Sequence, residues 1–113
     1  MKLVDAAKTF CAAYAAHPVL ADGFLGWTST IALVASDSGD AVAVRIREGR
    51  VVECVGGVGE GDIVITSDEV TLREILELKR GPNEPYLFGE LVVRGPEEHF
   101  LKLDYISSVL GPA

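Results

Sequence analysis

The chain is poor in the residues that carry most protein chemistry. It has two cysteines and two histidines among 113 residues. Cys11 and Cys54 fit no metal-ligand spacing and no C-x-x-C motif, so they read as buried free thiols and the expected compartment is the cytoplasm. His17 falls at a helix end and His99 near a helix start, where surface or local backbone contacts are their ordinary role. Bases are scarce too. Ten Lys+Arg against seventeen Asp+Glu leave a formal charge of −7. Affinity for phosphate backbones comes mostly from Lys and Arg, so nucleic acid is not an expected partner. An anionic membrane surface is disfavoured for the same reason. No apolar run approaches the ~18 residues of a transmembrane helix. The opening MKLVDAAKTFCAAYAAHP contains an Ala13-Tyr14-Ala15 site, but Asp5 and Lys8 break the apolar run that a secretory leader requires.

Motifs of catalysis and cofactor binding are missing as well. The glycine-rich run at 56–61 reads G-G-V-G-E-G and precedes a strand, without the helix or the lysine of a phosphate loop. Asp37 and Asp40 begin no calcium loop, because Gly39 stands where a ligand belongs and Val42 where the turn glycine belongs. No serine has a G-x-S-x-G context. The acidic pair Glu97-Glu98 is accounted for by a helix N-terminus. Nucleophile, base and oxyanion donor are all lacking, so the expectation is a protein that is not an enzyme and has no cofactor and no metal.

What the chain does have is apolar surface. Hydrophobic residues make up 49 %, enough for one globular domain over residues 1–113 with no linker-like division. Leu3, Ala7, Phe10 and Tyr14 recur at helical spacing over 3–16, with Pro18 ending that helix. Residues 19–26 read as a connector. Thr28–Ser36, Ala41–Arg47, Arg50–Val55 and Asp62–Thr66 read as strands joined by turns at 37–40 and 48–49 and by the glycine run, which predicts an antiparallel meander. Ile31, Leu33 and Ala35 share one face of the first strand. A second helix follows, with a capping box from Thr66 to Glu69 or a cap at Ser67, an apolar stripe of Leu72, Ile75 and Leu76, and a Glu69–Arg73 pair. Lys79 and Arg80 are expected to close it and Gly81-Pro82 to stop it. Asn83–Phe88 is short and irregular, Gly89–Arg94 is a fifth strand, and a final helix begins at Pro96 and ends at Gly111-Pro112. That last helix is apolar on more than one side, so a second surface must cover it.

Residues 62–105 carry an ordered series of features. A strand runs into Ser67-Asp68-Glu69 at a helix start, and Leu72, Ile75 and Leu76 follow. Gly81-Pro82-Asn83 and an aromatic segment come next, then Gly89-Glu90-Leu91-Val92-Val93-Arg94-Gly95 and a last helix with Leu101-Lys102-Leu103. This series resembles the sterol carrier protein 2 family of small lipid-binding domains. The resemblance implies an α+β fold with a mostly antiparallel five-stranded sheet and helices packed on one face. It also implies an apolar tunnel for a lipid, fatty acid, sterol or acyl-CoA thioester, with no bond-making chemistry. Short first strands, and Pro82 and Pro85 beside the tunnel, set this chain apart and narrow the space expected there.

The expectation is therefore a non-catalytic carrier of a hydrophobic ligand. Its expected lining is Trp27, Ile31, Leu33, Val44, Ile46, Leu72, Ile75, Leu76, Tyr86, Phe88, Phe100, Leu103 and Ile106. Trp27 and Tyr86 can offer hydrogen bonds to a polar end, and Arg73, Lys79 and Arg80 either meet a carboxylate or CoA phosphate or form a solvated helix face. The same residues can instead make a solid core. On that alternative the chain is a structural or accessory subunit of an enzyme complex, or a dimerisation module, whose surplus apolar surface docks on a partner enzyme or a second copy.

Overall fold

The computed structural model describes residues 2–111. Helices α1 (Leu3–Ala15) and α2 (Pro18–Gly23) precede strands β1 (Ser29–Ala35), β2 (Ala41–Arg47), β3 (Arg50–Gly56) and β4 (Ile63–Ser67). Helices α3 (Glu69–Leu76) and α4 (Asn83–Leu87), strand β5 (Val92–Arg94) and helix α5 (Glu97–Leu110) complete the chain. The fold is the expected α+β arrangement of one mostly antiparallel five-stranded sheet with helices.

The sheet order is β3-β2-β1-β4-β5. The meander holds for β1, β2 and β3, and fails at β4, which pairs parallel with the far side of β1. The glycine run makes this crossing feasible. Gly56 pairs with Val42, which is level with Leu33, while Ile63 starts level with Ile31. The chain must therefore hop three strand spacings, ~14 Å, and slip back only two residues along the sheet, well within the reach of the six residues 57–62. It does so pressed flat on the second face of the sheet. A Cβ on Gly59 would sit 3.1 Å from a Val34 methyl, and one on Gly61 only 2.5 Å from the Thr30 carbonyl oxygen. This cover also explains why Ala32 and Ala43, paired on that second face, are fully buried.

The first face holds the core. Ile31 and Leu33 stand beside Val44 and Val42 on one side and Ile63 and Ile65 on the other. Helix α1 adds Leu3, Ala6, Ala7, Phe10 and Tyr14, a stripe at the spacing read from sequence. It runs antiparallel to β3: Val4 lies over Gly56, where an added Cβ would come within 3.2 Å, and the Tyr14 hydroxyl donates to the Gly49 carbonyl at 2.7 Å. The helix N-termini are capped from a distance. The amide of Leu3 donates to Asp40 at 2.7 Å and that of Glu69 to Asp37 at 3.0 Å, so one β1–β2 turn supplies carboxylates to both α1 and α3.

Several local expectations change. Residues 18–23 form a short helix, begun by Pro18 with its φ already set for a first turn. The cap of α3 is Asp68, because Thr66 is held in β4 opposite Val92. The Thr71 hydroxyl is the main cause that holds the Asp68 carboxyl below its ordinary range. Helix α3 stops at Leu76, before Lys79 and Arg80, and Leu78 takes a positive φ of 64°. The first three strands have seven residues each and are not short. Strand β5 has only three, since Gly89 turns at φ 75° and the chain reaches the sheet at Val92. The Glu69–Arg73 pair forms, at 3.8 Å. Pro112, expected to help end the last helix, lies outside the described residues.

Candidate functional site

Two open recesses lie where α2 and its link to β1 meet α5. Pro18 turns the chain into α2 immediately after α1, so that Leu20 is buried and Val19 is left 73 % exposed. The link then presents Phe24 and Trp27 to α5. The Phe24 ring lies 5.4 Å from that of Trp27, and Tyr105 of α5 meets Phe24 edge-on at 6.0 Å. Both are ordinary aromatic contact distances.

Phe24 and Gly23 are shared by two recesses. One, of about 340 Å³, is walled by His17, Val19, Leu20, Phe24, Tyr105 and Val109. Its wall is apolar except for the Tyr105 hydroxyl and His17, whose Nδ1 is buried without a hydrogen-bond partner among the described residues. The other, of about 380 Å³, adds Trp27, Thr28, Glu98, His99 and Lys102. The Trp27 indole N–H donates to Nδ1 of His99 at 3.0 Å, and the two rings stack with centroids 6.2 Å apart. Lys102 Nζ lies 5.8 Å from the Trp27 ring and 3.8 Å from Glu98. An apolar cup and a polar cup thus adjoin across one phenylalanine.

The sequence-expected lining divides. Trp27 walls the polar recess, with its N–H already given to His99. Tyr86 and Phe100, in contact at 4.9 Å, wall a third recess of about 220 Å³ between α4 and α5. Phe88 is 74 % exposed beyond α4. Ile31, Leu33, Val44, Ile46, Leu72, Ile75, Leu76, Leu103 and Ile106 are buried together in the core and wall none of these three recesses. Arg73 and Lys79 pair with Glu69 and Glu77, and Arg80 with Glu74 and Glu90. Phe24, His99, Lys102, Tyr105 and Val109 were not among the expected site residues. The surplus apolar side of the last helix was the one signal for Tyr105 and Val109.

Among the described residues, neither cysteine is tuned toward a nucleophile. Burial, reinforced by Cys54, pushes the Cys11 thiol up to about 12, and burial raises Cys54 as well. Both stay protonated near neutrality, which is the inert state of a thiol. No group of three or more His, Cys, Asp or Glu side chains is placed to hold a metal among the described residues. No helix there is long and apolar enough to cross a membrane.

No protein-family model matches the sequence, and no curated protein matches it. Solved structures do match. A crystal structure of sterol carrier protein 2 superposes with a TM-score of 0.72 at 21 % identity, over 94 % of this chain and 90 % of that one. Palmitated SCP2L2 from Aedes aegypti gives 0.69 at 17 % identity, covering 95 % of each. The stereoselective inverting sec-alkylsulfatase Pisa1 from Pseudomonas sp. gives 0.60 at 20 % identity, over 82 % of this chain and 14 % of that one.

Proposed function

We propose that this chain, which has the fold of sterol carrier protein 2, is a non-catalytic binding protein for an amphiphile. The observation that carries the reading is the adjoining pair of recesses around Phe24. Hydrocarbon fits the apolar recess, and a polar end fits beside Thr28, His99 and Lys102. Burial supplies about 0.8 kcal/mol per methylene. The palmitated neighbour of the same fold supports a lipid as the class of ligand. Free thiols and the acidic charge suit a cytoplasmic carrier.

The expected lining at Ile31, Leu33, Val44, Ile46, Leu72, Ile75, Leu76, Leu103 and Ile106 comes into use only if the layers part. Leu20 and Phe24 join the apolar recess to that core. Opening an interior cavity of ~300 Å³ costs on the order of 7 kcal/mol. About nine methylenes are needed to offset that cost. Short chains therefore stay in the recess, and long ones can extend into the core.

Trp27 is the single tryptophan and stands in the wall, so its emission reports occupancy. Titration with a pyrene-labelled long-chain alcohol is expected to quench it saturably, and Phe24→Ala to weaken binding about tenfold or more. Binding weaker than about 1 mM by the wild-type protein would sink the reading.

A second reading, an accessory or dimerisation module, is favoured by one observation. Tyr86, Leu87, Phe88, Val92 and Leu101 are all exposed apolar side chains of the α4–β5–α5 region. A stable oligomer in light scattering that Phe88→Asp disperses, together with no binding of the pyrene alcohol, would select it.

A further inference from the structure

Trp27 and His99 are 6 % and 8 % exposed, and a single hydrogen bond of 3.0 Å joins them. An indole nitrogen can only donate, so His99 Nδ1 is the bare nitrogen and Nε2 carries the ring's proton. A second proton has one place to go, which is Nδ1. There it turns an acceptor into a donor that faces a donor, and the one hydrogen bond between two nearly buried rings is lost. The bond also spans the fold. Trp27 lies in the link from α2 to β1, and His99 lies in the first turn of α5. The Trp27 ring in turn backs Phe24, the side chain common to both recesses.

We propose, on the reading that this cleft holds an amphiphile, that Trp27 and His99 form a proton-operated latch: shut while the imidazole is neutral, and released when it becomes imidazolium. Release leaves α5 held to the Phe24–Trp27 wall only by the Tyr105 and Lys102 contacts among those described, and weakens the grip on the ligand. The charged neighbours are few. From α5 they are Glu98 and Lys102, which pair with each other at 3.8 Å. The facing link residues Gly23, Phe24, Gly26, Trp27 and Thr28 carry no titratable side chain. From the β2–β3 turn, Glu48 is tied in through its amide, which donates to the Thr28 hydroxyl at 3.2 Å. Tyr105 reaches the group only through Phe24. Histidine as a residue type ordinarily changes charge between about pH 5 and 8, and that is the window to test.

Because Trp27 is the only tryptophan, its one indole N–H resonance reads the latch in ligand-free protein. Titration from about pH 8 to about pH 5 is expected to move that resonance in a single step. His99→Asn keeps a carbonyl acceptor near the position of Nδ1 and cannot titrate, so it is expected to remove the step, while His17→Asn keeps it. Affinity for the pyrene-labelled alcohol, which has no ionisable group, is expected to fall about tenfold over the same range in wild type and to stay level in H99N. A flat indole signal in wild type would overturn the latch, and so would a step that persists in H99N. If H99N does not fold, the wild-type nitrogen shifts of the imidazole carry the test. Nδ1 of His99 must pass from acceptor to donor with the indole step, and titration of His17 alone overturns the proposal. Failure of the alcohol to bind at pH 8 removes the binding reading, while the indole step still decides the latch.

Discussion

Helices α1 and α5 contribute to the same core, and they are held very differently. Helix α1 is fastened along its length. Asp40 takes its first amide, Val4 presses on Gly56, and Tyr14 reaches Gly49 through a buried hydroxyl. Helix α5 buries Phe100, Leu103 and Ile106 but leaves Leu101, Tyr105 and Val109 to solvent. Its described polar tie to the α2–β1 link is the Trp27–His99 bond. The first region is built to persist. The second keeps rings at an open seam, and both recesses around Phe24 lie there.

The sharpest way to break this comparison is to remove apolar mass from each region. Leu72→Ala, in the closed core, is expected to cost about 2–5 kcal/mol in denaturant unfolding. Phe24→Ala is expected to cost about 1–2 kcal/mol, since it is only partly buried, and to act mainly on ligand affinity. Equal losses of stability would mean that the two regions do not differ. Next in size is Gly61→Ala. Its new methyl would meet the Thr30 carbonyl, and a loss of about 1–3 kcal/mol is expected with no effect on binding of the pyrene alcohol.

Asp40→Ala and Asp37→Ala test the shared caps. Each is expected to lower stability by about 1 kcal/mol, with faster amide hydrogen exchange in the first turns of α1 and α3 respectively. Exchange that changes in α5 instead would contradict the assignment. The smallest effects lie at the extremes of pH. Burial raises the Tyr14 phenol above its ordinary 10.0, so its contribution is present below that value and is lost as pH climbs through the raised one. Tyr14→Phe is expected to lose about 1 kcal/mol at neutral pH and to unfold less steeply in alkali. Asp68 has the opposite sign. Its carboxyl titrates low, so its contribution is present above the ordinary carboxylate value and fades as pH falls through the lowered one. Thr71→Val should flatten that acid limb slightly in a thermal melt series.

Much of the fold was legible. The α1 stripe, the 37–40 and 48–49 hairpins and the amphipathic α3 are set by residues within a few positions of one another. Glu48 and Gly49 both take positive φ, which suits the tight turn read from their types. The partner of β4 was not legible. A six-residue glycine connector serves a neighbouring strand or a distant one equally well in sequence, and the choice rests on close contacts with Thr30 and Val34. The cleft was legible at one residue. Trp27 stood out as a large ring at the entry to β1. Phe24 looked like part of a connector, His99 like a helix-start residue, and Lys102 entered only within Leu101-Lys102-Leu103 of the last helix. None of the three signals a site until α5 is laid beside the link.

Local spacing and turn chemistry determined, by themselves, which segments would be helix or strand and which faces would be greasy. Those properties depend on neighbours within a turn or a pleat. Only the assembled chain decided which greasy faces closed on each other and which stayed open. That outcome depends on pairs far apart in sequence, 35 residues for Tyr14 and Gly49 and 72 for Trp27 and His99, whose meeting is a matter of packing rather than of period.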